Sequence, residues 1–231
     1  FKAGELTINP NAKRYTSETT PKQEVILAPY DAKNIYMVQY HNENRDWTPD
    51  NAAVNALFNE YFGGGMNAIV FQELREARGL AYSAYAGYNE PSRKSNKESF
   101  NTYIITQNDK MTDCINEFNN LLNNMPQRPA GFELAKQSLM KSLATNRTNK
   151  FDILNAYINA QRLGIDYDIN KKIYETLPSL QMKDLTDFAK SRISNKTYKY
   201  IILGNEKELN MPTLEKIGNI KRLSLEQIFG F

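Results

Sequence analysis

The sequence predicts an α+β domain built in two layers, a largely antiparallel sheet with helices packed on one face. Three observations predict it. Short runs rich in β-branched and aromatic residues fall at 24–30, 34–41, 80–88, 99–107 and 197–204, several of them joined by short connections. Stretches with apolar residues three and four apart stand between them, each with a stripe to bury. The order is β-β-α-α-β-β, then helices, then a strand, which leaves the stripes one sheet face to cover.

Residues 1–22 are polar and poorly patterned, and read as a linker or entry segment ahead of a single domain over 23–231. Glu24 to Tyr30 and Asn34 to His41 read as two strands around the turn signal Pro29-Tyr30-Asp31. Thr48-Pro49-Asp50 opens a helix, with Thr48 as its cap and Pro49 in the first turn. Val54, Leu57, Phe58 and Tyr61 then recur at helical spacing until Gly63-Gly64-Gly65 breaks the run. A second helix is expected from about Asn67 to Arg78, stopped by Gly79. Leu80 to Tyr88 and Ser99 to Gln107 follow as strands, joined by a polar loop over Asn89 to Lys97. Four helices come next. They are marked by Met111, Ile115, Phe118 and Leu122; by Phe132, Ala135, Leu139 and Leu143; by Ile153, Leu154, Tyr157 and Ile158; and by Leu185, Phe188 and Ala189. Thr197 to Gly204 is the last clear strand, with Tyr198, Tyr200 and Ile202 on one face.

Composition removes several function classes. Lys and Arg number 29 against 26 Asp and Glu, a balance of +3 with no basic stripe, so nucleic acid is not an expected partner. The longest apolar runs, such as Tyr200 to Leu203, are far short of the roughly 20 residues that a membrane span needs. The chain starts at Phe1 with no visible signal peptide, which reads as a fragment or processed product. The single cysteine, Cys114, excludes an internal disulfide and leaves the compartment open, a periplasmic or secreted one included.

Metal chemistry lacks its ligands here. A catalytic zinc site takes three His, Asp, Glu or Cys ligands with His prominent, and this chain has only His41, inside an expected strand. Neither a Cys114–His41 pair nor a serine mechanism through His41 has a supporting local signature. Gly63-Gly64-Gly65 lacks the Lys and the spacing of a phosphate loop.

One dense segment remains, from Tyr61 to Ser83. It reads as a loop, a short helix, a tight stop and a returning strand. Arg75 lies in the last turns of that helix and Tyr82 early in the strand, and Gly79 lets the chain reverse between them. A guanidinium and a phenol can therefore share one space, a pairing suited to a peptide carbonyl. The same residues also fit a plainer reading. Glu73, Arg75, Glu76 and Arg78 suit a solvated, salt-bridged helix face, and Tyr82, Tyr85 and Tyr88 suit ordinary strand aromatics.

The stretch FGGGMNAIVFQELREARGLAYSAY resembles the signature of the carboxy-terminal halves of the insulinase/pitrilysin family of zinc metallopeptidases. The likeness extends more loosely from about Ile26 to Gly204, and the ending Leu225 to Phe231 resembles the tail of long bacterial members. The resemblance implies an α+β metallohydrolase fold like that of mitochondrial processing peptidase. It implies a Zn2+ ion held in an amino-terminal half by an inverted motif, H-x-x-E-H, whose Glu is the general base. That half would come from the same chain or from a partner subunit. It implies a peptide substrate gripped from this half, with Arg75 and Tyr82 at the matching positions and Tyr82 the catalytic donor. No H-x-x-E-H occurs in these residues, so this fragment alone is expected to hold no zinc and cleave nothing. The alternative implied is a non-catalytic relative, acting as a scaffold or peptide-binding subunit.

Overall fold

The structure, a computed structural model, describes residues 17–230. Its strands are β1 (Glu24–Pro29), β2 (Asn34–His41), β3 (Ser83–Asn89), β4 (Ser99–Gln107), β5 (Lys199–Gly204) and β6 (Asn219–Arg222). They form one sheet in the order β3-β4-β2-β5-β1-β6. The β3–β4, β4–β2 and β2–β5 pairings are antiparallel, whereas β1 runs parallel to both β5 and β6. The two-layer α+β class read from sequence is the class observed.

Two differences are instructive. The turn signal at Pro29 to Asp31 does not close a hairpin, because β5 inserts between β1 and β2 and pairs with both. The amide of Tyr30 donates to the carbonyl of Gly204 at 3.0 Å, which holds the end of β1 to β5 rather than to β2. The edge strand β6 has only four residues, of the pattern Asn-Ile-Lys-Arg, which carries too little alternation to be legible in sequence.

The helices are α1 (Ala52–Phe58), α2 (Ile69–Phe71), α3 (Met111–Asn123), α4 (Pro129–Thr145), α5 (Lys150–Leu163), α6 (Ile169–Thr176), α7 (Met182–Arg192), α8 (Met211–Ile217) and α9 (Leu225–Phe229). Thr48 does not cap with its side chain; its hydroxyl accepts from the side-chain Nδ2 of Asn51 at 2.9 Å instead. α1 and α2 both widen into π-helical turns, at Asn59–Gly63 and Gln72–Ala77. In both cases the widening comes just before a glycine-controlled reversal, and π turns cluster at such working positions.

Strand alternation decides the core. Val25, Leu27, Ile35, Met37, Ala84, Ala86, Phe100, Ile104, Tyr200 and Ile202 are buried against the helices. They join Phe58, Phe62, Ile115, Phe118 and Leu185 in one continuous cluster. Full burial of a Phe118-sized side chain is worth about 1.5–3 kcal/mol. The opposite parity, Ile26, Val38, Tyr103, Ile105 and Ile201, is half-buried and takes no part in that cluster. Three of the four helical stripes read from sequence face the core. The α5 stripe does not: no residue of α5 is buried.

Candidate functional site

The site is built where α2 runs out. The π-helical turns end at Arg78, and Gly79 follows at φ +57°, a left-handed conformation that glycine adopts without a Cβ penalty. The reversal is held by backbone bonds. Gly79 donates to Arg75 O at 3.1 Å, and Leu80 and Ala81 both donate to Leu74 O, at 2.8 and 3.2 Å. The Lys110 ammonium donates to Gly79 O at 2.9 Å, and the Thr106 hydroxyl to Leu80 O at 2.6 Å. The chain then joins the sheet, with Tyr82 N donating to Ile105 O at 2.8 Å. Tyr82 therefore stands one residue ahead of β3, not inside a strand that starts at Leu80. The residue is 75 % exposed.

Arg75 projects from the same corner. Its guanidinium carbon lies 4.9 Å from the Phe71 ring centre and 5.8 Å from that of Tyr82. An arginine over two aromatic rings gains about 0.5–1 kcal/mol per contact at exposed sites. That contact also restrains the fork. Its nearest carboxylate, Glu76, stands off at 3.7 Å. The two candidate residues are thus brought together, exposed, with polar atoms still available.

Arg78, three residues on, is differently placed. It pairs with Glu117 at 3.0 Å and Glu73 at 3.6 Å, and Glu73 also binds Arg128. That network ties the end of α2 to α3 and to the start of α4. Beneath it the Tyr61 hydroxyl donates to Pro126 O at 2.7 Å and accepts from Arg128 N at 2.8 Å, and burial pushes its pKa above the usual phenol value. Sequence reading missed Phe71, although its spacing of four from Arg75 was a usable signal. It also missed Lys110, which lies 31 residues from Gly79 with no local cue.

His41 is buried and bound within the fold. Its Nδ1 lies 2.8 Å from the Thr197 carbonyl, which can only accept, so Nδ1 carries the hydrogen. The Thr20 hydroxyl sits 3.0 Å from the same nitrogen. Burial holds the imidazole pKa below its ordinary value. Cys114 is buried on α3 near Thr106, its thiol pushed up to about 12 by desolvation, and it shares no partner with His41. Among the described residues no group of three or more His, Cys, Asp or Glu is arranged to hold a metal ion. These side chains do not fit a zinc site. No helix among the described residues is long and apolar enough to cross a membrane.

The chain's sequence matches the family model described as the peptidase M16 inactive domain over residues 2–139. Solved structures agree at the level of fold. The peptidase M16 inactive domain from Pseudomonas fluorescens superposes with a TM-score of 0.68 at 17% identity, over 84% of this chain and 46% of that one. A protease from Helicobacter pylori gives 0.65 at 15% identity, over 87% and 48%. A chain of complex III2 from Candida albicans gives 0.59 at 15% identity, over 85% and 49%. The chain spans about half the length of the solved structures it matches. No curated protein matches it in sequence. With the match covering more than half of the chain, and with the glycine-to-tyrosine segment inside it, the chain belongs to the peptidase M16 family and carries that family's inactive domain.

Proposed function

We propose that this chain is the substrate-gripping half of a zinc-dependent endopeptidase whose metal site lies in another half. The observation that carries the reading is the contrast between neighbouring arginines. Arg78 is held by Glu117 at 3.0 Å and lies 3.6 Å from Glu73, while Arg75, half-exposed, is stacked on Phe71 and Tyr82 and has only Glu76 near it, at 3.7 Å. A structural helix end is tied down by the first arrangement; the second adds about 0.5–1 kcal/mol per contact and leaves the guanidinium accessible to a ligand. In the assembled enzyme Arg75 holds a peptide carbonyl through fixed N–H donors. Tyr82 donates its hydroxyl hydrogen to the scissile carbonyl oxygen as negative charge grows there, an interaction stronger in the transition state than in the ground state. Zinc, supplied by the other half, would activate the attacking water.

The test is steady-state cleavage of a quenched fluorescent peptide by the full-length polypeptide. Tyr82→Phe removes one hydroxyl and keeps the ring under Arg75, so kcat should fall about 10- to 1000-fold with KM little changed. Arg75→Ala should lower kcat/KM as well, and Arg78→Ala should leave turnover nearly intact. Wild-type turnover in Tyr82→Phe, together with a dead Arg78→Ala, would reverse the assignment. The matched family model is described as an inactive domain, and one structural neighbour is a chain of complex III2. These favour a second reading, a non-catalytic subunit that binds peptide or serves as scaffold. A full-length polypeptide without H-x-x-E-H, and without peptidase activity, would establish it.

A further inference from the structure

α2 and the π-helical turns that follow it send Ile69, Val70 and Leu74 into the core. Phe71 does not go with them. It is half-buried and takes no part in the core cluster. It precedes Arg75 by four residues, a spacing that puts two side chains on one side of a helix. Its ring meets the Arg75 guanidinium, whose carbon lies 4.9 Å from the ring centre.

An arginine can be held in two ways, and they leave different chemistry behind. Arg78 and Arg192 are held by the carboxylates of Glu117 and Glu98, at 3.0 and 2.8 Å. A carboxylate fixes a guanidinium by occupying its N–H groups and offsetting its charge. An aromatic ring lies against the flat face and leaves both the N–H groups and the charge in place. For Arg75 the carboxylate of Glu76 stands at 3.7 Å, beyond hydrogen-bond distance. Tyr82, the other ring beside Arg75, is farther off at 5.8 Å and is itself largely exposed. Phe71 is thus the closer and better anchored of the two rings.

We propose that Phe71 is a positioning residue for peptide recognition: its ring holds the Arg75 guanidinium in place and leaves the N–H groups free for a peptide carbonyl. The proposal rests on the role given to Arg75 above, and goes beyond it by naming the side chain that acts through Arg75. Phe71 itself touches no peptide. A free arginine side chain loses rotamer freedom when it binds a carbonyl. The ring removes part of that freedom before the peptide arrives, so less is lost on binding. Arg75 grips the peptide in the ground state as well as the transition state, so loss of the ring belongs in KM rather than in kcat. A contact of this kind at an exposed site is worth a factor of about 2 to 5.

The experiment uses the full-length polypeptide. Affinity for a fluorescein-labelled copy of the assay peptide is read by anisotropy with a metal chelator present, so that binding is measured without turnover. Phe71→Leu keeps an apolar side chain with good helix propensity and removes the π face, whereas Phe71→Trp keeps one. Phe71→Leu should weaken binding about 2- to 5-fold, and Phe71→Trp should bind at least as well as wild type. In an Arg75→Ala background Phe71→Leu should have no effect, because the residue it acts through is gone. In steady-state cleavage the same change should appear in KM, with kcat unaltered. The Arg75 Nε–H proton resonance, assigned by its loss in Arg75→Ala, should shift in Phe71→Leu as the ring current is removed. Equal affinity in wild type and Phe71→Leu overturns the proposal, and so does an unmoved resonance. A loss of affinity that persists in the Arg75→Ala background, or that Phe71→Trp also shows, overturns it too. A polypeptide that cleaves no peptide yet shows the Arg75-dependent loss of affinity would sink the peptidase reading and leave this one standing.

Discussion

Gly63→Ala tests how the candidate site is held in place. Gly63 ends the π-helical turn after α1 and packs flat against β3. A Cβ built there would lie 1.9 Å from the Ala86 carbonyl oxygen and 2.6 Å from its carbon. Both are backbone atoms of a paired strand, so no side chain can rotate away. An ordinary contact needs well over an ångström of separation between the turn and the strand. Overpacking of this kind costs about 1–3 kcal/mol or more. For a chain of 231 residues each kcal/mol is worth about 2–4 °C in Tm. The expected loss is therefore about 2–12 °C, measured by differential scanning calorimetry. Gly65→Ala is the control, since a Cβ there meets nothing within 4 Å. The displacement should also reach function, because β3 begins one residue after Tyr82. A shift of about 1 Å in a positioned donor can cost about 100-fold in turnover, so under the proposed function kcat of the full-length polypeptide should fall with Gly63→Ala. Equal melting temperatures for Gly63→Ala and Gly65→Ala would refute the packing argument. A large drop in Tm with unchanged kcat would refute the link to the site.

Further outcomes follow from other parts of the fold. Glu98, nearly fully buried, accepts from Arg192 and from the Tyr88 hydroxyl, both at 2.8 Å; Glu98→Gln leaves the arginine uncompensated and should cost about 3–5 kcal/mol in urea unfolding. Burial lowers the pKa of His41 in the fold, while the unfolded chain takes up a proton near pH 6.5. The unfolded state then binds more protons, so stability should fall as pH drops from 7 toward 5.5. His41→Asn should flatten that part of the curve, and an unaltered slope would refute the assignment. Cys114, buried with its thiol pKa near 12, should react with Ellman's reagent only at the unfolding rate.

Periodicity and punctuation made most of the elements legible. β2 and β4 have the bounds that alternation predicts, and α3 buries Met111, Ile115, Phe118 and Leu122 as its spacing requires. Both are local signals, carried by neighbours two to four residues apart. The Arg75–Gly79–Tyr82 constellation was legible for the same reason: a helix end, a left-handed glycine and a strand entry are written in eight consecutive residues.

What sequence could not settle was long-range. The insertion of β5 between β1 and β2 joins residues about 170 positions apart and depends on which pairing buries more surface, not on any turn signal. By charge and spacing alone Arg75 and Arg78 were equivalent, two basic residues in one acidic stretch, and only the family resemblance singled out Arg75. In the structure they separate because α3 brings Glu117 to Arg78, while Phe71 and Tyr82 flank Arg75. The stripe on α5 shows the limit most clearly. Its spacing is that of a core helix, and periodicity reports only that a face is apolar. Whether that face meets this domain's sheet or another surface is decided by where the chain places the helix. Here α5 lies outside the core with its apolar side uncovered.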